Sequence, residues 1–195
     1  MSAYERVYFE TRALIAADET LSRFAGDLPS APDFADLPAR PLPHVGKMAA
    51  LASLASPQTQ KLTDEIIRVA PDLHWQQSYS AEQVGTHYLE NYGWFNLVSP
   101  QGPVRGDIRL SFGFWSQDLF YPRHWHAPEE LYFVIAGGAI FQADGDDDAE
   151  LSAGMTRYHA SNQPHAMHMT NAPLLAFAIW RGDALSRNPD MEQRV

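Results

Sequence analysis

The chain has no cysteine, which rules out disulfides and thiolate metal sites together, so any bound metal must be held by nitrogen and oxygen. Positive charge is also scarce: 14 Lys and Arg face 24 Asp and Glu, for a formal net charge of −10. Nucleic acid and anionic membrane surfaces both need a basic footprint, so the expected partner is a small molecule, with no nucleic acid and no membrane. A long uninterrupted apolar run is missing as well. The N-terminal stretch MSAYERVYFETRALIAADETLSRF scatters charges through its apolar positions and reads as neither a secretory signal nor a membrane span, so the expected location is cytoplasmic. No internal repeat of fixed period is present, and the one charge run, Asp144 to Glu150, reads as an acidic hairpin tip.

What is present divides the chain in two. Val7, Tyr8, Leu14, Ile15, Leu21 and Phe24 recur at spacings near three and four, predicting one amphipathic helix from Tyr4 to Phe24 with Gly26 and Pro29 as stop signals. Gly26 to Gly46 holds five prolines and reads as a surface loop anchored by Leu28, Phe34, Leu37 and Leu42. Two further short helices are expected at Lys47 to Ala55 and Thr59 to Ala70, the second closed by Pro71. From Thr86 onward, aromatic and β-branched runs alternate with Gly, Pro, Asn and Asp, the pattern of short strands in a sandwich or barrel. The expected organisation is therefore a helical and loop extension, residues 1–75, packed on a β body, residues 76–195.

One stretch of that body, HWHAPEELYFVIAGG from His124 to Gly138, carries more polar chemistry than a buried strand should. Side chains two apart in a strand share a face, so His124 and His126 point the same way, and Ala127-Pro128 then breaks the ladder. On the next strand Glu130, Tyr132, Val134 and Ala136 form one face and Leu131, Phe133 and Ile135 the other. Two imidazoles and a carboxylate brought together without a partner are costly to bury, and a divalent cation removes that cost. Downstream, AGMTRYHASNQPHAMHM offers His159, His165 and His168. His165 opens an alternating run with Met167 and Met169 and is the best further ligand, His168 reads as a surface residue, and His159 is ambiguous. His44, His74 and His87 have no ligand spacing around them and read as structural.

The spacing His124-x-His126-x3-Glu130-x6-Gly137 resembles the first motif of the cupin superfamily, and Gly154 to His165 resembles its second, with Ala160 and Asn162 standing where many cupins have proline and glycine. The resemblance implies a mainly β fold, a double-stranded β-helix barrel with an N-terminal α-helical segment. It also implies one divalent transition metal (Zn, Fe, Mn, Ni or Co) held by His124, His126, Glu130 and His165. Within the superfamily the chain is most similar to the cupin-type dimethylsulfoniopropionate (DMSP) lyases. Like them it has a tyrosine shortly before the first histidine, Tyr121, and another two residues past the glutamate, Tyr132.

That likeness implies β-elimination of a zwitterionic sulfonium carboxylate to dimethyl sulfide and acrylate. Tyr132 is the expected base, Tyr121 the second choice as base or substrate-orienting donor, and Trp180, Trp94 and Tyr121 the expected substrate-binding aromatics. Trp180 shares its face with the small Ala176 and Ala178, which leaves room beneath it. The Gly- and Pro-punctuated segment Tyr92 to Pro103 reads as a lid candidate beside the mouth. The same ligand set would serve an iron dioxygenase or an isomerase, and a non-catalytic small-ligand-binding cupin is a third reading; a base at Tyr132 is what separates the lyase from these. Cupins often pair through their sheets, so a homodimer is also an expectation.

Overall fold

Asp18 ends one helix and starts another. Helix α1, Ala3–Ala17, is closed at its N-terminus by a Ser2/Glu5 capping box. Asp18 is extended, and its carboxylate accepts the Leu21 N–H at 3.0 Å, capping α2, Glu19–Ala25. Aspartate competes for such caps better than it tolerates a helix interior, so the single helix expected over Tyr4 to Phe24 is two. The computed structural model describes residues 1–35 and 37–192; Asp36, inside the proline-rich segment, and residues 193–195, at the end of the expected β body, lie outside the described residues.

The helix expected over Lys47 to Ala55 is instead a 3₁₀ stretch, Pro43–Ser53, that begins inside the expected loop, with proline supplying its first position. Helix α3, Gln60–Val69, buries Leu62, Ile66 and Val69 and runs into a short 3₁₀ turn, Ala70–Asp72. Two brief helices, α4 at Ala81–Val84 and α5 at Thr86–Glu90, occupy ground where strand texture was expected to begin.

Ten strands follow among the described residues: β1 Tyr92–Ser99, β2 Val104–Arg105, β3 Arg109–Trp115, β4 Phe120–Trp125, β5 Glu129–Ala143, β6 Ala149–Ser152, β7 Thr156–His159, β8 His165–His168, β9 Leu174–Arg181 and β10 Asp190–Met191. Their order is β10-β4-β8-β5-β9-β3-β1-β2, with β6 and β7 also on β5. The first half of β5 pairs with β7 and β9 and the second half with β6 and β8, so this one strand belongs to both layers and curls the sheet into a barrel. A mainly β barrel with N-terminal helices is the architecture that the cupin resemblance implies.

Alternation along the strands builds two cores. Leu131, Phe133 and Ile135 pack outward with Phe95, Phe112 and Phe177 against Val7, Tyr8, Leu51 and Ile66 of the helical layer. Tyr132 and Val134 face inward with Tyr92, Trp115, Tyr121 and Met167. A register shift between Val134 and Ala136 moves Ala136 from the inner face, where simple alternation put it, into the outer core. The lid expectation also fails, because Tyr92 to Ser99 is a full strand bonded to β3 and β2, leaving only residues 100–103 as a connection.

The motif glycine has a steric explanation. Gly137 has φ +72° just past the shift, and a Cβ there would lie 1.7 Å from the Pro173 carbonyl oxygen. Gly137→Ala is therefore expected to destabilise the protein by more than about 2 kcal/mol at fixed metal content, measured by urea unfolding. An unchanged unfolding midpoint would contradict this steric account.

Candidate active site

Antiparallel register sets the inner face out in rows. Arg109 on β3 lies opposite Trp180 on β9, Trp180 opposite Glu130 on β5, and Glu130 opposite His159 on β7. One step along come Ser111, Ala178 and Tyr132, and after them Gly113, Ala176 and Val134. The small members of these rows, Ser111, Gly113, Ala176 and Ala178, leave a pocket. Arg109, Trp94, Trp180 and Glu130 line one part of it, Tyr92, Trp115 and Tyr121 another, and Tyr132 joins them.

Against this pocket the structure gathers the histidines. His124 pairs in register with His165, and β4 and β5 bring His126 beside Glu130. Each ring is anchored in the same manner: Nδ1 of His124 lies 2.9 Å from the Pro122 carbonyl, that of His126 2.9 Å from the Pro128 carbonyl, and that of His165 2.8 Å from the Gln163 carbonyl. A carbonyl only accepts, so Nδ1 carries a proton and Nε2 is the nitrogen that each ring turns toward the site. His126 Nε2 and His165 Nε2 lie 3.2 Å and 3.1 Å from the same oxygen, Glu130 Oε2. The other oxygen, Oε1, accepts the Trp180 indole N–H at 2.5 Å.

Two groupings of donors result. Ligand atoms of His124, His126 and His165 lie within 4.8 Å of one another, as do those of Glu130, His159 and His165. All five residues are buried. His165 Nε2 has no hydrogen bond to any described residue, and neither nitrogen of His159 has one, although the His159 ring stacks on His165 at 4.1 Å. Imidazole nitrogens that face a carboxylate oxygen need a proton or a metal cation between them, and three nitrogens with one oxygen suit a divalent transition metal. Burial, then the neighbouring His165, holds His124 well below the usual imidazole range and His159 down at about 3, so both rings are neutral near pH 7. Burial opposes both ionisation of Glu130 and protonation of His126, but each opposite charge favours the other, so the Glu130 carboxyl lies well below its usual value and the His126 imidazole above its own.

The remaining expected residues also meet here. Tyr121 stacks on His124 at 4.1 Å, and its hydroxyl shares a 2.7 Å hydrogen bond with Tyr79. Tyr132, Trp94 and Trp180 line the pocket. Burial, then the Glu130 charge, pushes the Tyr132 phenol well above its ordinary value, and burial, then Tyr79, does the same to Tyr121. His168 is exposed, and His44 is buried between Trp75 and Phe114, away from this cluster. Sequence reasoning missed Arg109 and left His159 undecided. The available signal for Arg109 was a charge heading the otherwise apolar strand RLSFGFW, whereas nothing local distinguishes His159, which gains its place only through pairing of β7 with β5.

Comparison with known proteins points in one direction. A family model described as dimethylsulfoniopropionate lyase matches residues 19–176. Dimethylsulfoniopropionate lyase DddQ of Ruegeria pomeroyi is 27% identical over 182 residues, covering 93% of this chain and 90% of that one. A chain from the crystal structures of the DMSP lyases RdDddP and RnDddQII superposes with a TM-score of 0.93 at 35% identity, covering 98% of each chain. The crystal structure of DMSP lyase DddQ from Ruegeria pomeroyi DSS-3 gives 0.89 at 26% identity over 97% of this chain and 95% of that one.

The indole–carboxylate bond makes a distinct prediction. Trp180→Phe keeps a ring in place but frees Glu130 Oε1, so metal affinity should fall about 10- to 100-fold in a chelator competition. Unchanged affinity with only a raised KM would assign the indole to the substrate instead.

Proposed function

The chain belongs to the dimethylsulfoniopropionate lyase family, and from that premise we propose that His124, His126, Glu130 and His165 hold one divalent transition metal beside which DMSP is cleaved to dimethyl sulfide and acrylate, with Tyr132 as base. The observation that carries the metal reading is the shared anchoring of three imidazoles by Nδ1, which leaves their Nε2 atoms to a buried site containing the Glu130 carboxylate. Zinc, iron, manganese, nickel and cobalt all suit this donor set. A cation bound there supplies a Lewis acid for the substrate carboxylate, beside which the α-proton becomes removable.

Tyr132 stands two residues beyond Glu130 on the same inner face and opposite Ala178, where the small side chain leaves space for substrate. Its phenolate would take the α-proton. The freed electron pair forms the carbon–carbon double bond of acrylate, the carbon–sulfur bond breaks, and its pair leaves with dimethyl sulfide. Since burial and Glu130 both disfavour the phenolate, Tyr132 needs positive charge close by, as the adjoining cluster would provide. Tyr121, fixed by His124 on its face and Tyr79 at its hydroxyl, is the alternative base and otherwise orients substrate. The aromatic wall of Tyr92, Trp115 and Tyr121, with ring centroids 5.5–5.9 Å apart, suits the sulfonium through cation–π attraction.

Headspace detection of dimethyl sulfide from metal-loaded protein given DMSP tests the activity. In Tyr132→Phe the fold and metal content should be retained while turnover falls by roughly 10²–10⁴-fold, the loss typical of a general base. Near-normal turnover in Tyr132→Phe beside an inactive Tyr121→Phe would transfer the role to Tyr121.

A further inference from the structure

The pocket contains a buried cation that nothing described above uses. Arg109 is 7% exposed and takes part in no ion pair among the described residues. Its acceptors are all neutral: Nε donates to Asn96 Oδ1 at 3.2 Å and Ser111 Oγ at 3.0 Å, and Nη1 to the Leu185 and Arg187 carbonyls at 3.4 and 3.2 Å. The guanidinium carbon lies 4.6 Å from the Trp94 ring and 4.6 Å from the Trp180 ring. Nη2 makes no hydrogen bond to any described residue, and Arg109 stands between two spaces, lining the pocket of Glu130 and Tyr132 and also an adjoining one with Asn96, Leu185 and Asn188. The carboxylate nearest in its row, Glu130, is separated from it by Trp180 and engaged by the indole and the imidazoles.

A guanidinium buried among neutral groups is unfavourable unless a counter-charge arrives, and its planar fork matches a carboxylate. Its place against Trp94 and Trp180 also means that the two indoles expected to receive the sulfonium already have a cation beside them. A second cation brought to that end would be repelled. The pocket is therefore polarised, with a positive end at Arg109 and an aromatic, uncharged wall at Tyr92, Trp115 and Tyr121. We propose that Arg109 is a specificity residue of this lyase, receiving one oxygen of the substrate's carboxylate on its open donor edge, with the other left to the metal, and turning the sulfonium toward the tyrosine-lined wall. The proposal rests on the lyase reading for the identity of the substrate. Its consequence is discrimination: small carboxylates enter this pocket, and sulfonium compounds without a carboxylate are turned away.

The test compares propanoate with its neutral isostere propanamide, each titrated calorimetrically into metal-loaded wild type, Arg109→Gln and Arg109→Lys. Wild type should prefer propanoate. Arg109→Gln should lose roughly 10- to 100-fold in propanoate affinity, as for a lost charge-assisted hydrogen bond, with propanamide unchanged, and Arg109→Lys should recover part of the loss. For a given ligand the metal contributes equally to wild type and variant, so the change in propanoate affinity from wild type to variant reports the guanidinium. If Arg109→Gln fails to fold, Arg109→Met carries the same comparison, because apolar replacement of a buried charge is often tolerated. Equal loss for both ligands, an unchanged propanoate affinity, or collapse of both variants makes Arg109 a strut and overturns the proposal. A wild type that releases no dimethyl sulfide from DMSP removes the lyase reading but leaves the propanoate comparison intact.

Discussion

Everything in the barrel's mouth depends on one electrostatic constraint, a carboxylate buried beside imidazoles whose lone pairs face it. Glu130 is 1% exposed, with His126 and His165 nitrogens 3.2 and 3.1 Å from one of its oxygens. In a low-dielectric interior such a group must find compensating positive charge, or it neutralises. The backbone carbonyls of Pro122, Pro128 and Gln163 prevent the rings from turning their Nδ1–H toward the carboxylate. A proton or a metal ion must then sit among the Nε2 atoms, and the metal is our reading because it satisfies all of these donors together.

Strand β5 converts this local demand into a pocket. It carries Glu130 and Tyr132 on one face and Leu131 and Phe133 on the other, which ties the polar site to the helix-covered outer core. Beyond the register shift and Gly137 the same strand pairs with β8, which delivers His165. Small residues in neighbouring rows then open space beside Tyr132. The charged and aromatic ends of that space follow from alternation along the paired strands β1 and β3, which places Tyr92 and Trp94 of the one and Arg109, Ser111 and Trp115 of the other on the same inner face.

Much of this was legible from sequence because strand alternation is strict over short distances. His124, His126, Glu130 and Tyr132 could be assigned a shared face from spacing alone, and Ala176 and Ala178 could be read as room beneath Trp180. What failed was longer in range or decided by competition. Alternation does not foresee the register shift that moves Ala136 to the outer core, nor does helical periodicity foresee that Asp18 will cap rather than continue a helix. The Tyr92 to Pro103 segment resembles a lid by its two glycines and two prolines, but the alternation of Tyr92 and Trp94 with Phe95 and Leu97 decides its structure. Arg109 is not legible from sequence, since a single arginine at the start of a strand is ordinary, and only the lack of an ion-pair partner among the described residues makes it informative.

The most direct test of the central claim is a titration of metal-stripped protein with a divalent ion such as Mn²⁺ or Zn²⁺, following bound metal and dimethyl sulfide release in the same samples. The account predicts no release from the stripped protein and activity that rises in proportion to bound metal up to about one ion per chain. Full activity without metal, or one tightly bound ion per chain that restores none with any of the five candidate metals, would contradict it.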